Sequence, residues 1–386
     1  MMIRNTIRAA GMMTALGLLI GPAFAQDNSG GKVLTQPAIA QTAIRQDMIP
    51  GVYETAEAAE LGALFVASTP SFDAGTPGYV DLLDPADLSP IRRIELPRRA
   101  FALAMDHQRG KLFVGNTLDG SLSVLDAKSG LLLETVQLGK PEGEGFEHTR
   151  MVEVDEDSGR VFVSSPSDAG TLWIVDTMAE NAVTRIDDAG LWAAGLVHDP
   201  ASGRVYVSGG GIDEVLIVDG KTGERVGTLS TGDTTEASKD GSKHFFVNLS
   251  LDAKRGRLFA ADANSGQLYV FDIASGKVQK TVPIGLGTLD VLYAAETDQI
   301  FVTYRGAGRE KTDGTGGVIV LSGEDYAPQA SIPLPAHPNS LTLGDGGKAL
   351  FVTVKAPMEK EHPLYREGAA DSVLRFDLTA LGNAIG

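Results

Sequence analysis

Eight side chains in this sequence could bind an anion or another hydrogen-bonding ligand. They lie next to, or at the start of, stretches of alternating apolar residues: Arg99, Arg150, Trp192, His244, Asn248, Arg305, His337 and Asn339. Guanidinium, imidazole and amide groups suit carboxylates, phosphates and main-chain carbonyls. Each residue also has a structural alternative. For Arg150 this is a salt bridge with Glu147, and for His244 and His337 it is hydrogen bonding between neighbouring units. Asn339 could simply form an Asx-turn.

The sequence lacks the motifs of several enzyme classes. It contains no GxxxxGK[ST], GxSxG or HExxH segment, and it has no cysteine for thiolate catalysis, disulfides or Cys-ligated metals. A metal site formed by histidines together with Asp290 and Glu361 stays open as a lesser alternative. We therefore predict no catalytic residue, no bound metal and no cofactor, and we favour a non-enzyme while leaving enzyme activity open.

The elements that would position these side chains belong to one repeat. An apolar residue, an aromatic and usually a valine recur as LFV, VFV, VYV, LFA or IFV. The aromatics are spaced 42 to 53 residues apart: Phe65, Phe113, Phe162, Tyr206, Phe259, Phe301 and Phe351. Each copy follows an alternating apolar run and a polar turn such as DEDSGR. A second strand, which usually ends in Asp, and a Gly-containing turn come after it. Four short strands per unit, joined by Asp/Gly/Ser turns, are typical of a propeller blade.

The seven copies predict an all-β fold, a seven-bladed β-propeller with four antiparallel strands per blade. The last copy lacks a fourth strand, because only LTALGNAIG follows Asp377. An unpaired edge promotes aggregation. We therefore expect the ring to be closed by an N-terminal strand, Ile39–Arg45, which has no blade of its own. This assigns 39–386 to a single propeller domain.

Loop lengths distinguish the two faces of the predicted ring. The turns between first and second strands and between third and fourth strands are uniformly short. The long connections, such as 68–79, 304–317 and 354–371, all fall on the other face. Insertions on one rim of a rigid scaffold usually carry function, although drift in exposed loops is the alternative. The eight candidate residues border the axial mouth of this long-loop face, where we expect them to converge.

The repeat resembles the YVTN-repeat β-propellers, and more closely the YncE-type periplasmic propellers. The closest matches are KHFFVNLSLD at 243–252 and AHPNSLTLGDGGKALFVTVK at 336–355. The resemblance covers about residues 40–378 and implies a fold more firmly than a function, because no catalytic motif defines this family. Nucleic-acid binding has been proposed for similar proteins.

The N-terminus has the features of a secretory signal peptide. Residues 1–25 combine Arg4 and Arg8, an apolar stretch from Ala9 to Ile20, and an Ala-x-Ala site ending at Ala25. The apolar stretch is too short for a spanning helix, and no later run approaches the length that a span requires. We therefore expect a periplasmic protein without a membrane span. Residues 26–38 are predicted to be a flexible lead-in, and we expect that deleting residues 26–37 leaves the melting temperature unchanged.

The composition and motifs of the sequence are compatible with three classes of function. The first is an exported, non-enzymatic propeller, expected to be a monomer, that binds a small molecule or a periplasmic protein segment on its long-loop face. The second is a propeller enzyme of the lactonase or amine-dehydrogenase-subunit type. The third is single-stranded nucleic-acid binding, which the formal net charge of −17 opposes.

Overall fold

The computed structural model describes residues 31–386, apart from 144, 234–241, 308–310, 312, 335–336 and 358–359. The predicted signal peptide and residues 26–30 of the lead-in lie outside the described residues. Among the described residues, no helix has both the length and the apolar character needed to cross a bilayer.

The chain is all-β, and its strands pair antiparallel in groups of four that follow the sequence repeat. We number these groups as sets in chain order. An N-terminal segment comes first: β1 (Lys32–Val33), α1 (Gln36–Thr42) and β2 (Ala43–Asp47). Set one contains β3 (Val52–Ala58), β4 (Ala63–Ser68), β5 (Gly78–Leu83) and β6 (Pro90–Leu96). Set two contains β7 (Ala102–Asp106), β8 (Lys111–Asn116), β9 (Ser121–Asp126) and β10 (Leu132–Gln137).

A two-residue hairpin of β11 (Pro141–Glu142) and β12 (Gly145–Phe146) precedes the third set. Set three contains β13 (Val152–Asp155), β14 (Arg160–Ser165), β15 (Thr171–Asp176) and β16 (Ala182–Asp187). Set four contains β17 (Leu196–Asp199), β18 (Arg204–Ser208), β19 (Glu214–Asp219) and β20 (Arg225–Ser230). Set five contains β21 (Phe246–Asp252), β22 (Arg257–Asp262), β23 (Gln267–Asp272) and β24 (Lys277–Pro283). A single parallel bridge joins β20 to β24.

Set six contains β25 (Thr288–Ala294), β26 (Gln299–Tyr304), β27 (Gly317–Ser322) and β28 (Pro328–Pro333). The last set contains β29 (His337–Gly344), β30 (Ala349–Lys355) and β31 (Ser372–Asp377), and α2 (Leu378–Ile385) ends the chain. Short 3₁₀ turns lie at Ala59–Leu61, Thr117–Asp119 and Asp345–Gly347.

The repeated aromatic of each second strand is buried between neighbouring sets. All seven of these side chains are at most 1% exposed. Phe113, for example, packs with Val161 and Trp173 of the next set, so that one apolar core spans sets two and three. Because each core is shared, the sets stabilise one another in sequence order.

The first strands of the sets lie side by side. Each contacts the first strand of the following set, and β29 of the last set contacts β3 of set one. A carboxylate strengthens this last junction. Asp371, before β31, accepts hydrogen bonds from the main-chain N–H groups of Gly51, Val52 and Ala356.

The N-terminal segment completes the last set, although at a register that differs from the predicted one. β2 pairs antiparallel with β31, from Ala43 opposite Phe376 to Asp47 opposite Ser372. The expected strand Ile39–Arg45 is therefore wrong in its first half, because residues 39–42 belong to α1. The Thr35 hydroxyl caps this helix by accepting from Ala38 N, and a proline occupies its first turn.

The end of the predicted flexible lead-in is ordered. Lys32 and Val33 pair in parallel with β28 of set six. Leu34 is 3% exposed and packs in the same apolar cluster as Ile39 of α1 and Leu381 of α2. Burial of these side chains stabilises the position of the chain before residue 39. The Asp377 carboxylate caps α2 by accepting from Ala380 N, so the terminal residues form a helix beside α1.

Candidate axial binding site

A hydrogen-bonded chain of polar side chains crosses the axis where the first strands meet. The Arg150 guanidinium, just before β13, donates through Nη1 to the main-chain oxygen of Ala194 and to Asn248 Oδ1, both at 2.8 Å. Asn248 Nδ2 donates to Asp290 Oδ1 at 2.8 Å, and Asp290 Oδ2 accepts from Leu341 N at 2.7 Å. We call Arg150, Asn248 and Asp290, together with Glu54 of β3, the axial layer. It places two of the eight candidates, Arg150 and Asn248, in direct contact.

Two further candidates meet on the long-loop side of this layer. Arg305, directly after β26, donates through Nη2 to Asn339 Oδ1 at 3.2 Å. Lys355, at the end of β30, lies with Nζ 3.6 Å from Asp371 Oδ2 and 3.4 Å from the centre of the Tyr53 ring. Arg150, Arg305 and Lys355 come from three different sets, and we call them the cationic mouth.

The cations of the mouth repel one another. Burial lowers the pKa of Lys355 to about 8; the positive charge of Arg305 adds to this, whereas Asp371 and Glu54 oppose it. Burial also lowers the pKa of Arg150, and Arg305 again contributes while Glu54 and Asp290 oppose it. Three charges that share a partly desolvated space favour a bound anion.

The carboxyls of the axial layer hold their protons more tightly than usual. Glu54 is 7% exposed, and burial, reinforced by the charge of Asp290, raises its pKa to about 8. Burial also raises the pKa of Asp290 to about 6, although hydrogen bonds from Asn248 and main-chain N–H groups oppose this. These acids therefore neutralise the cationic mouth only partly at neutral pH.

A cavity of about 360 Å³ lies on the opposite side of the axial layer. It opens toward the short turns between first and second strands, because Pro200 and Ala253 of two such turns line it. Glu54, Asn248 and Asp290 also border this cavity. Its other walls are mainly apolar: Met151, Leu196, Val197, Leu249, Leu251, Val291, Leu292 and Leu341.

Two titratable side chains stand at this end of the axis, Glu153 of β13 and His198 of β17. Burial raises the pKa of the Glu153 carboxyl to about 7. Burial lowers the pKa of His198, so that its imidazole is favoured in the neutral form.

Arg99 has a structural partner. Its Nε and Nη2 atoms donate to the Asp119 carboxylate at 3.0 and 2.7 Å, and its Nη1 donates to the main-chain oxygen of Phe72. The Asp119 carboxylate also accepts from the Arg99 main-chain N–H. This guanidinium therefore holds the long connection of set one in place.

His244 is likewise bound within the protein. Its ring is 1% exposed, with Nδ1 2.7 Å from Asp262 Oδ2 and Nε2 2.8 Å from Asp233 Oδ1. The ring stacks on Phe246 at 5.1 Å. The proposed structural alternative for this residue fits these contacts, since they tie the end of set four to set five.

The last two candidates make ring contacts at the same face. Trp192 lies 6.2 Å from the Phe245 ring, and His337 lies 5.5 Å from the His362 ring in an edge-on arrangement. Arg150 also does not pair with Glu147, which instead binds Arg185. The convergence of all eight candidates on one mouth stays a prediction.

Four residues of the site were not among the eight candidates. They belong to the site because they lie along the axis: Glu54, Glu153, Asp290 and Lys355. A signal existed in the sequence, because Glu54, Glu153 and Asp290 are acidic residues within the apolar runs of first strands, although Glu57 and Asp155 lie in two of the same strands. Within the described ranges, no group of three or more His, Asp or Glu side chains is placed to hold a metal ion.

Comparisons with known proteins agree with the repeat and with the strand pairing. No family model matches the chain. The uncharacterized protein YncE of Salmonella typhi is 26% identical over 344 residues, covering 88% of this chain and 92% of the relative. The uncharacterized protein YncE of Escherichia coli is 27% identical over 383 residues, covering 97% and 98%.

Solved structures show the same fold at lower identity. The WD40 repeats of RRP9 superpose with a TM-score of 0.63 at 12% identity, covering 87% of this chain and 97% of that one. Kuenenia stuttgartiensis hydrazine synthase matches with a TM-score of 0.54 at 19% identity, covering 66% and 73%. The repeated four-stranded sets, the shared aromatic cores and these comparisons together show a β-propeller fold in a chain that is similar to the YncE proteins over most of its length.

Proposed function

We propose that the protein is an exported, non-enzymatic, seven-bladed propeller that binds the acidic group of a small molecule or protein segment at the cationic mouth. In this proposal each set is one blade, and β2 closes the ring. Support for the ring comes from the contacts between successive first strands and from the pairing of β2 with β31. Support for export comes from residues 1–25, which combine a basic start, an apolar stretch and an Ala-x-Ala site.

The observation that carries the binding proposal is the meeting of Arg150, Arg305 and Lys355 at one end of the axis. Burial lowers the pKa of both other cations, and the positive charge of Arg305 lowers it further. A bound carboxylate would remove this repulsion and accept hydrogen bonds from guanidinium groups that stand at fixed positions on strand ends. The acidic remainder of the surface would repel anions, which makes this mouth the favoured place for one.

The hydrogen bonds of the axial layer favour binding over catalysis. Asn248 and Asp290 are engaged with each other, and Asp290 also accepts main-chain N–H groups. A nucleophile or general base must instead be free to reach a substrate atom. The layer therefore forms a rigid floor beneath the cationic mouth.

Calorimetric titration with two matched probes tests this proposal. The probes are an acetylated tripeptide with a free C-terminal carboxylate and the same peptide as its C-terminal amide. We expect the carboxylate to bind and the amide to bind at least about tenfold more weakly, since hydrogen bonds to charged groups contribute more than neutral ones. Arg305→Gln should weaken binding of the carboxylate by a similar factor.

Arg366→Gln is the matched control for the loss of one positive charge. Arg366 lies on the long connection of the last set, and its guanidinium donates to the main-chain oxygens of Pro363 and Tyr365. This variant should bind the carboxylate probe as the parent protein does. Equal affinity for the two probes, or equal losses in both variants, would contradict the proposal.

A further inference from the structure

The cavity on the short-turn side of the axial layer is lined by acidic side chains, whereas the cationic mouth consists of basic ones. Glu54, Glu153 and Asp290 line it, and none of the described residues in its walls is Lys or Arg. Arg150 and Lys355 act on Glu54 from the other side of the layer. The axis is therefore electrically polarised, with cations at the long-loop end and carboxyls at the short-turn end.

Glu153 is the carboxyl whose charge is least compensated. Burial is the single cause that raises its pKa, whereas cations oppose the shift of Glu54 and Asp290. Glu153 is half-buried, and a carboxylate withdrawn from water is costly unless a positive group or a proton compensates it. Its place at the wall of an open cavity means that a cation from solution could supply that compensation.

The size and walls of the cavity indicate what kind of cation fits. The volume of about 360 Å³ lies within the range of about 300 to 1,000 Å³ that is usual for small-molecule pockets. The carboxyls face the same space, but within the described part of the chain they are not grouped closely enough to hold a metal ion. Leu249, Leu251 and Leu292 supply apolar surface between them. Cavities of this size with apolar walls and few polar groups are typical of small-molecule sites.

We propose that this cavity binds a primary alkylamine in its ammonium form, with the ammonium group at Glu153 and the alkyl chain against Leu249, Leu251 and Leu292. Glu54 and Asp290 of the axial layer border the same cavity with their carboxyl groups. The site is separate from the cationic mouth, and it does not depend on the acidic ligand proposed there.

Ligand-observed NMR with three six-carbon probes tests the proposal at about pH 8, where a carboxyl with the pKa of Glu153 is ionised. Hexylammonium should bind, whereas hexanol should bind at least about tenfold more weakly and hexanoate should not compete. Glu153→Gln should lower hexylammonium affinity by about tenfold or more. Leu292→Phe, which fills apolar space in the cavity, should also reduce binding while Glu153 remains present.

Glu296→Gln is the matched control, because Glu296 is exposed in a short turn on the same face and lies outside the cavity lining. It removes the same charge and should leave affinity unchanged. The thermal melting curve of each variant shows whether it is folded. Equal binding of hexanol and hexylammonium would overturn the proposal, as would unchanged affinity in Glu153→Gln.

Two further results separate this proposal from its alternatives. Displacement of hexylammonium by equimolar Ca²⁺ or Mg²⁺ would assign the cavity to a metal ion and overturn the amine proposal. Arg305→Gln, which changes the cationic mouth, should leave hexylammonium binding intact. If the amine probes do not bind, the proposal for the cationic mouth is unaffected. If the tripeptide does not bind, the proposal for the cavity is unaffected.

Discussion

The buried ring of His244 contacts two carboxylates, so its contribution to the stability of the protein depends on pH. Burial alone would lower the pKa of the imidazole, but the hydrogen bonds to Asp262 and Asp233 outweigh it and raise the pKa. Both ring nitrogens face carboxylate oxygens, an arrangement that the imidazolium satisfies fully and the neutral ring does not. The charged ring thus joins the end of set four to the end of β22.

We expect this tie to stabilise the protein most at mildly acidic pH. A histidine whose folded-state pKa lies above its unfolded value contributes fully below the unfolded value, and the contribution disappears as pH rises through the folded value. The difference in melting temperature between the parent and His244→Gln should therefore be largest near about pH 6 and shrink at higher pH. His107→Gln is the control, because it replaces a histidine in an exposed turn, where the ring contacts the Glu60 carboxylate alone. A difference that stays constant from acidic to alkaline pH would contradict this assignment.

Residue positions could be predicted from the sequence more readily than residue roles. Arg150 contacts Asn248, and Arg305 contacts Asn339, and the repeat locates each of these residues near one end of a strand. The structural role of Arg99 was not evident. Its partner Asp119 lies 20 residues away in a different turn, and only folding shows that the two side chains meet.

The N-terminal segment acts as a clasp between the last two sets. β1 extends the edge of set six, β2 supplies the outer strand of the last set, and α1 packs against α2 between them. The short strand β1 could not be found from the pattern, because two residues carry no periodicity. The strand β2 was found because the last copy of the repeat lacked a fourth strand, a deficit that the repeat makes visible.

Leu34→Ala should destabilise the protein by about 2 to 4 kcal/mol, since a buried leucine in a shared core is lost. Val33→Ala is the matched control, because Val33 is 38% exposed and its main chain can still pair with β28. Urea denaturation compares the free energies of unfolding of the two variants.

Deleting residues 26–30 should leave the free energy of unfolding unchanged, whereas deleting 26–37 should lower it at least as much as Leu34→Ala does. A 26–37 deletion with parent stability would show that the clasp does not hold the ring.

The whole molecule is strongly acidic, with 33 basic against 50 acidic residues. The cationic mouth is a local exception, and its positive charge is partly compensated by the carboxyls of Glu54, Asp290 and Asp371. Phosphate backbones bind mainly through many simultaneous contacts with Lys and Arg, which this surface opposes. A single acidic group at the axis is a better match for three inward-facing cations than an extended polyanion is.

Single-stranded DNA should accordingly bind weakly at physiological salt, with a Kd above roughly 10 μM. Fluorescence anisotropy with a labelled oligonucleotide at about 150 mM salt measures this directly. Sub-micromolar affinity under these conditions would refute the prediction. In that case Arg305→Gln would show whether the cationic mouth contributes.

The propeller class could be predicted from the sequence because one aromatic register repeats along nearly the whole chain. The separation of cations from carboxyls along the axis could not be predicted from the sequence. It depends on which residues of each first strand face the centre, and several of these strands contain bulges that shift the register, as between Phe246 and Leu249. A bulge changes which side chain faces inward without leaving a clear mark in the pattern.

The pairing of β2 with β31 has a consequence for chains that are still being made. β2 leaves the ribosome long before β31, because Asp47 pairs with Ser372 across nearly the whole repeat. At about 5 to 20 residues per second, the intervening chain takes roughly 15 to 65 seconds to appear. During that time β2 has no partner strand, and a chain that stops short of residue 372 never gains one. Incomplete translation products would thus stay open and accessible to proteases, so that closure itself distinguishes a finished chain from a truncated one.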